Sequence, residues 1–442
     1  MVTRSRIGSL KPRSFNDYQL FYNTKNLPTA FVTTLSTTKP TCFSKATSDP
    51  QWQTAMQQEF EALVTNDTWT LCPRPVKHNV IKNEWVYKIK QKPDGSIDRF
   101  KARLVAKGFE QKCGVDYKDT FNPVIKPSTI RVVLALAVHF NWPIRQLDVS
   151  NAFLHGYLLE EVYMEQPQGF VDVEHPNFVC KLQKSIYGLK QAPRAWFHCL
   201  PTSLLELGFI AFLVDSSLFI FIHGDIKVFL LIYVDDIVVT GTHVSVIIAL
   251  IVQLQKKFPI KDLGSLGFFL GIQATRDRDF LHLCEAKYIK DLLHRTRTCR
   301  LGAKPASSPF PASSKLSKYD GDPLPDLTEY HQVVGALLYC TLTKPEIAFS
   351  VNQLCQHMHS PSITHWLAAK RVLRYLKSTI DHGLLYTPGD LCLRAFYDSD
   401  WAGSPDDRRS TSGFGVYLGS CLVSWSDQWC SMALTIAEFF WL

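Results

Sequence analysis

A chain of 442 residues, 46% hydrophobic and 20% charged, has room for two or three domains with cores of their own and is too balanced for a disordered or fibrous polymer. Its formal net charge of +8, from 48 basic and 40 acidic residues, suits a polyanionic partner without demanding one. Twelve cysteines without a Cys-x-x-Cys pair signal neither a zinc ribbon nor a disulfide framework and fit reduced intracellular thiols. The most apolar run, 226–239, is too short to span a bilayer, and the basic N-terminus lacks the apolar core of a secretory signal, so no membrane is expected.

Residues 1–47, rich in Ser, Thr, Lys and Pro, read as a basic linker or tail. Asp49 before Pro50 starts a helix whose Trp52, Met56, Phe60, Leu63 and Val64 share one face, ending near Asn66. From 80 to 106 the pattern becomes a hairpin with Asp94-Gly95 at its turn. Lys88, Lys90, Lys92, Arg99, Lys101, Arg103 and Lys107 stud its polar positions, as on a phosphate-binding ribbon or a solvated face. Residues 128–139 read as a buried helix and 143–149 as a strand delivering Asp148, which is either a metal ligand or a helix cap. Gly188, Gln191, Pro193, Arg194 and Trp196 lead into a helix reaching Leu207, with Pro201 expected to kink or delay it.

Strands at 217–222 and 226–233 precede the stretch LIYVDDIVVTG at 231–241. Its β-branched and aromatic flanks read as buried strands that present Asp235 and Asp236 at a hairpin tip. Adjacent carboxylates repel unless a cation sits beside them, so the tip is either a divalent-metal site or an acidic turn. A helix over 243–257, a strand pair at 266–274 and 279–283, and a helix at 285–295 follow. Beyond 296 the composition is that of a linker, then come helices at 345–357 and 364–377, the second with Lys370, Arg371, Arg374 and Lys377 on its outer face. From 391 the pattern is β again, ending in a helix-like tail.

Long strings in one order carry a resemblance. They include FKARLVAKGFEQ at 100–111, WPIRQLDVSNAFLHG at 142–156, EEVYMEQPQGF at 160–170, YGLKQAPRAW at 187–196, YVDD at 233–236, FFLGI at 268–272, HWLAAKRVLRYLK at 365–377 and YDSDWAGSPDDRRSTSG at 397–413. The chain resembles the reverse transcriptase of copia-type LTR retrotransposons over nearly its whole length. The resemblance implies an α+β fold: right-hand polymerase fingers and palm over 48–295, a linker and connection region over 296–389, and a truncated ribonuclease H-like mixed domain over 390–442.

The implied activity is RNA-directed DNA polymerisation, with Asp148, Asp235 and Asp236 as catalytic carboxylates holding two Mg2+ ions, or Mn2+ in their place. One ion would activate the primer 3′-hydroxyl and the other neutralise the triphosphate. Lys101 or Arg103 would grip that triphosphate and Gln191 would touch the incoming nucleotide. Phe153 would exclude a ribose 2′-hydroxyl, and Phe269, Leu270 and Gly271 would support the primer end. The implied partners are an RNA template, a DNA primer, their RNA–DNA hybrid and deoxynucleoside triphosphates, in a cytoplasmic virus-like particle or the nucleus; dimerisation is left open.

Asp398 and Glu438 stand where the first two ribonuclease H metal ligands fall. The stretch between Trp425 and Glu438 is a few residues short, Ile436 replaces a common acid, and the later aspartates do not follow. Ribonuclease H activity is therefore expected to be absent, since a site with half its ligands binds metal poorly. Glu84, Tyr157 and Pro201 also depart from the family's usual residues. The alternative is a degenerate, inactive retrotransposon product that only binds nucleic acid; a nuclease acting through Asp398 is a third reading, disfavoured by the missing ligands.

Overall fold

Along Ile226–Tyr233, Val228, Leu230 and Ile232 alternate with Lys227, Phe229 and Leu231, so most of both faces is apolar, as in a strand covered on both sides. In the computed structural model, which describes residues 39–91, 96–298, 304–311 and 315–430, this strand lies within a six-stranded antiparallel sheet. The order is Ile260–Ser265, Ile144–Val149, Asp236–Gly241, Ile226–Tyr233, Leu218–His223, Ile210–Ala211. One face packs Leu147, Leu230, Ile237 and Val239 under helices Ala192–Glu206 and Val244–Lys257, through Trp196, Leu200, Ile247 and Leu254. The other packs Ile144, Leu231 and Val238 against Val133, Leu134 and Val138 of helix Pro127–His139. Each such side chain contributes about 1.5–3 kcal/mol on burial, and this two-sided cover fixes the end of the sheet where the acids emerge.

The basic ribbon pairs Asn83–Gln91 with Ile97–Ala106, Trp85 opposite Leu104 and Lys88 opposite Lys101. It packs on helix Pro50–Thr65, whose Trp52 meets Tyr87 and Phe100 edge-on at 5.2 and 4.9 Å. Asp49 caps that helix, accepting from Gln51 N at 2.8 Å. The expected Asp94-Gly95 turn lies outside the described residues, as do residues 1–38 of the expected tail. A second sheet, ordered Trp69–Cys72, Val179–Lys184, Tyr157–Met164, Val80–Ile81, lies beside the ribbon in sequence and shares its core. Where the ribbon ends, Ala106 N donates to the Tyr187 carbonyl at 2.8 Å. The next residue, Gly188, has φ +92°, and a Cβ there would stand 2.1 Å from the Ala106 carbonyl oxygen; only glycine permits this approach.

Several elements differ from the sequence expectation. The single strand over 266–274 is two, Phe268–Phe269 and Ile272–Arg276, folded back at Leu270 and Gly271 with φ +51° and +76°. Leu281–Cys284 and Leu384–Tyr386 complete that sheet. Helix Ala192–Glu206 runs through Pro201; buried Trp196, Leu200 and Leu204 on either side offset the lost hydrogen bond. Thr328–Cys340 is a helix in a region without one in the sequence reading, and it packs Tyr330, Val333 and Leu337 with helices Ala348–Gln356 and Ile363–Ser378. On the last of these, Arg371 and Arg374 donate to Ser308 Oγ and the Lys304 carbonyl at 3.0 and 2.7 Å, so part of the basic face is taken up by the preceding segment. A three-stranded sheet, Leu393–Ser399, Ser410–Leu418, Cys421–Cys430, packs Cys421 and Val423 into the core shared with Pro127–His139. The helix-like tail expected after it lies outside the described residues. No described helix is long and apolar enough to cross a membrane.

Candidate active site

Asp148 lies near the end of Ile144–Val149 and Asp236 opens Asp236–Gly241, and the antiparallel register sets the two directly opposite. Side chains opposite one another share a face with their Cβ atoms about 5 Å apart, so both acids project on the side of Gln146 and Val238. Val234 and Asp235 close the hairpin between Tyr233 and Asp236. Val234 has φ +55°, a costly conformation for a β-branched residue. It is held there: Trp196 Nε1 donates to the Val234 carbonyl at 2.6 Å and Val149 N to the Asp235 carbonyl at 2.9 Å. The second bond fastens Asp235 to the end of the strand that carries Asp148.

Burial first, then the charges of Asp235 and Asp148, push the Asp236 carboxyl up to about 6, against a hydrogen bond with Gln146. Lys261, exposed, stands opposite Asp148 on the other neighbouring strand. Among the described residues no three His, Cys, Asp or Glu side chains are grouped so as to hold a metal ion. Register and the Val149 hydrogen bond bring Asp148, Asp236 and the Asp235 backbone to one strand end, and carboxylate oxygens are the donor type that hard divalent cations prefer.

Gln146 Nε2 also donates to the Phe268 carbonyl at 2.8 Å, which ties the acids to the turn at Phe269, Leu270 and Gly271. Phe269 is buried, and Tyr339 Oη donates to the Leu270 carbonyl at 2.5 Å. A Cβ on Gly271 would stand 2.2 Å from that hydroxyl. A cavity of about 420 Å³ lies among Tyr233, Phe269, Leu270, Tyr339 and Arg131.

Of the residues expected to bind nucleotide, Arg103 and Phe153 meet on a third side chain. The Arg103 guanidinium lies 4.1 Å over the Tyr187 ring, and Phe153 meets the same ring edge-on at 5.2 Å. Burial raises the Tyr187 phenol to about 12; Arg103 opposes the rise, and Glu59, Asp235 and Asp148 add to it. Beneath the ribbon lies Glu59, raised by burial and held back by the Leu104 backbone, Arg103 and Lys101. Lys101 itself is lowered, by burial and then by Arg103. Tyr187 and Gln146 lie in strings that carry the resemblance, but the partners of these two and of Lys261 are revealed only by strand register and packing.

Gln191 is held by its neighbours. It is 3% exposed, accepts from Gln111 Nε2 at 3.0 Å and donates to the Asp116 carbonyl at 2.9 Å. One donor and one acceptor position of its amide are thus taken by protein, and the residue also lines a cavity with Asp119, Tyr157 and Arg194. Asp398 lies on the exposed strand Leu393–Ser399, and Glu438 lies outside the described residues.

The family described as reverse transcriptase (RNA-dependent DNA polymerase) matches residues 66–307, more than half of the chain, with Asp148, Asp235, Asp236, Arg103, Phe153 and Tyr187 all inside the match. The chain belongs to the reverse transcriptase family. It is 45% identical over 431 residues to the Retrovirus-related Pol polyprotein from transposon RE2 of Arabidopsis thaliana, covering 97% of this chain and 29% of that protein. The corresponding protein from transposon RE1 of the same plant is 45% identical over 430 residues, with 97% and 28% covered. The Pol polyprotein from transposon TNT 1-94 of Nicotiana tabacum is 36% identical over 430 residues, with 93% and 32% covered. This reverse transcriptase chain thus spans less than a third of the length of these curated relatives, all copia-type Pol polyproteins.

Proposed function

We propose that the chain is an RNA-directed DNA polymerase that extends a DNA primer on an RNA template with deoxynucleoside triphosphates. The observation that supports it is the cross-strand pairing of Asp148 with Asp236 at a hairpin tip where Asp235 is fastened to the same strand end. The six-stranded sheet takes the part of the palm and the basic ribbon that of the fingers. The helices over 328–378 serve as the connection region, and the sheet over 393–430 as the start of a ribonuclease H-like domain.

Two Mg2+ ions held by Asp148, Asp235 and Asp236, with Mn2+ as a substitute, would activate the primer 3′-hydroxyl and neutralise the leaving pyrophosphate. Arg103 and Lys101 bind the triphosphate through charge-assisted hydrogen bonds. Phe153 closes the space that a ribose 2′-hydroxyl would need. The turn at Phe269, Leu270 and Gly271, tied through Gln146 to the acids, positions the primer end, where a small misplacement costs much of the rate. Gln191 supports the loop from behind.

The test is extension of a primed RNA template with deoxynucleotides and Mg2+, beside an Asp235→Asn, Asp236→Asn double variant of matched folding. Extension by the parent and none by the variant is expected. A folded parent that binds the hybrid but does not extend it would leave a nucleic-acid-binding protein without polymerase activity.

A further inference from the structure

We propose that Tyr187 is a positioning residue of the nucleotide site, its ring holding the Arg103 guanidinium ready for the triphosphate of an incoming deoxynucleotide. This rests on the polymerase reading above. Arg103 lies 4.1 Å over the ring, within cation–π range. Its buried Nε finds no hydrogen-bond acceptor among the described residues. A guanidinium clamped by a carboxylate would have to break that pairing before meeting a phosphate. One held by a π face keeps its planar fork of donors for a bidentate phosphate contact. Glu59 supplies opposite charge from beneath, and it is itself raised by burial.

The ring has little freedom to drift. Phe153 packs against its edge at 5.2 Å. The Tyr187 carbonyl accepts from Ala106 N at 2.8 Å, and two residues earlier Ser185 N donates to the Gly156 carbonyl at 2.7 Å. Ser185 Oγ donates to the Phe153 carbonyl. Gly188 then packs backbone to backbone against the ribbon that carries Arg103. The residue proposed to exclude the 2′-hydroxyl and the one proposed to grip the triphosphate are thus spaced by a single aromatic ring.

The experiment measures deoxynucleotide affinity in a complex of the full chain with an RNA template and a dideoxy-terminated primer, where no chemistry follows. Steady-state KM and kcat are measured in parallel on an extendable primer. Tyr187→Leu is expected to weaken deoxynucleotide binding and raise its KM about tenfold, with kcat changed less and primer–template affinity unchanged. Tyr187→Phe keeps the ring and is expected to stay within about twofold of the parent. In an Arg103→Met background the Leu substitution is expected to add less than about twofold, because the two residues act as one unit. Should the Leu variant fail to fold, Tyr187→Met, unbranched, flexible and without a π face, takes its place. Full additivity with Arg103→Met, a Phe variant as weak as Leu, a parallel loss of primer–template affinity, or a parent that binds no deoxynucleotide would each overturn the proposal. A parent that binds deoxynucleotide but does not incorporate it sinks the polymerase reading alone.

Discussion

Replacing Glu285 by Gln changes the stability of the protein in a way that depends on pH. Glu285 is 0% exposed, and neither carboxyl oxygen has a hydrogen-bond partner among the described residues. Burial pushes its pKa up to about 8, against the smaller pull of Lys344 and then Arg131. In the unfolded chain the same group titrates at about 4.3. Between those values the native state holds a proton that the unfolded state has released, so stability falls as pH climbs through the interval and levels off above about 8. At about 1.4 kcal/mol per pH unit the interval sets a ceiling of about 5 kcal/mol, and relaxation of the buried site brings this to about 2–3 kcal/mol. Glutamine has the shape of the neutral acid and cannot ionise. Lys344 keeps the Thr379 carbonyl and Glu346, at 3.7 Å, as partners. Urea unfolding at pH 5 is expected to find parent and variant within about 1 kcal/mol, and at pH 8.5 the variant ahead by about 2–3 kcal/mol. Parallel pH dependence of the two proteins would refute the reasoning, as would a variant that is the weaker one at pH 8.5.

Gly188→Ala forces a Cβ against the Ala106 carbonyl oxygen in a left-handed backbone; a loss of more than about 2 kcal/mol, read as a lower Tm, is expected. Arg131 stacks 3.7 Å over Trp425 and donates to the Leu342 carbonyl at 2.7 Å and, more weakly, to the Val423 carbonyl at 3.5 Å. Arg131→Met is therefore expected to lose about 2–3 kcal/mol and to raise amide hydrogen exchange in Cys421–Cys430, and unchanged exchange there would argue against the link. Because the Asp236 carboxyl is raised to about 6, protons would compete below that pH with a metal held there on the polymerase reading. The Mg2+ concentration for half-maximal extension is expected to rise at least about tenfold from pH 8 to pH 5, and a requirement that does not move with pH would contradict the account.

The hairpin tip was legible because apolar runs on both sides of Asp235 and Asp236 have strand character, and Asp148 was legible as the polar end of a buried strand. That Asp148 and Asp236 face each other was not, because register is a property of two strands, here pairing residues 88 positions apart, and not of either one. Gln191 drew notice as a polar residue in a loop, but its partners, Gln111 and Asp116, come from a distant segment that no local pattern exposes. Tyr187 was hidden for the same reason: its meaning lies in Arg103 and Phe153. FFLGI resembled one strand because four of its five residues are large and apolar, although Gly271 was the available sign of a turn. Helix Thr328–Cys340 was masked by the Pro- and Ser-rich stretch before it, while its own spacing of Tyr330, Val333, Val334 and Leu337 was helical all along.

The most direct test of the central claim compares the parent with Asp148→Asn, matched for stability and for primer–template affinity, in Mg2+-dependent extension of a primed RNA template. The parent is expected to extend the primer and the variant to do so at least about a hundredfold more slowly, since one carboxylate of the proposed metal site is lost. Extension by Asp148→Asn at the parental rate would contradict the account.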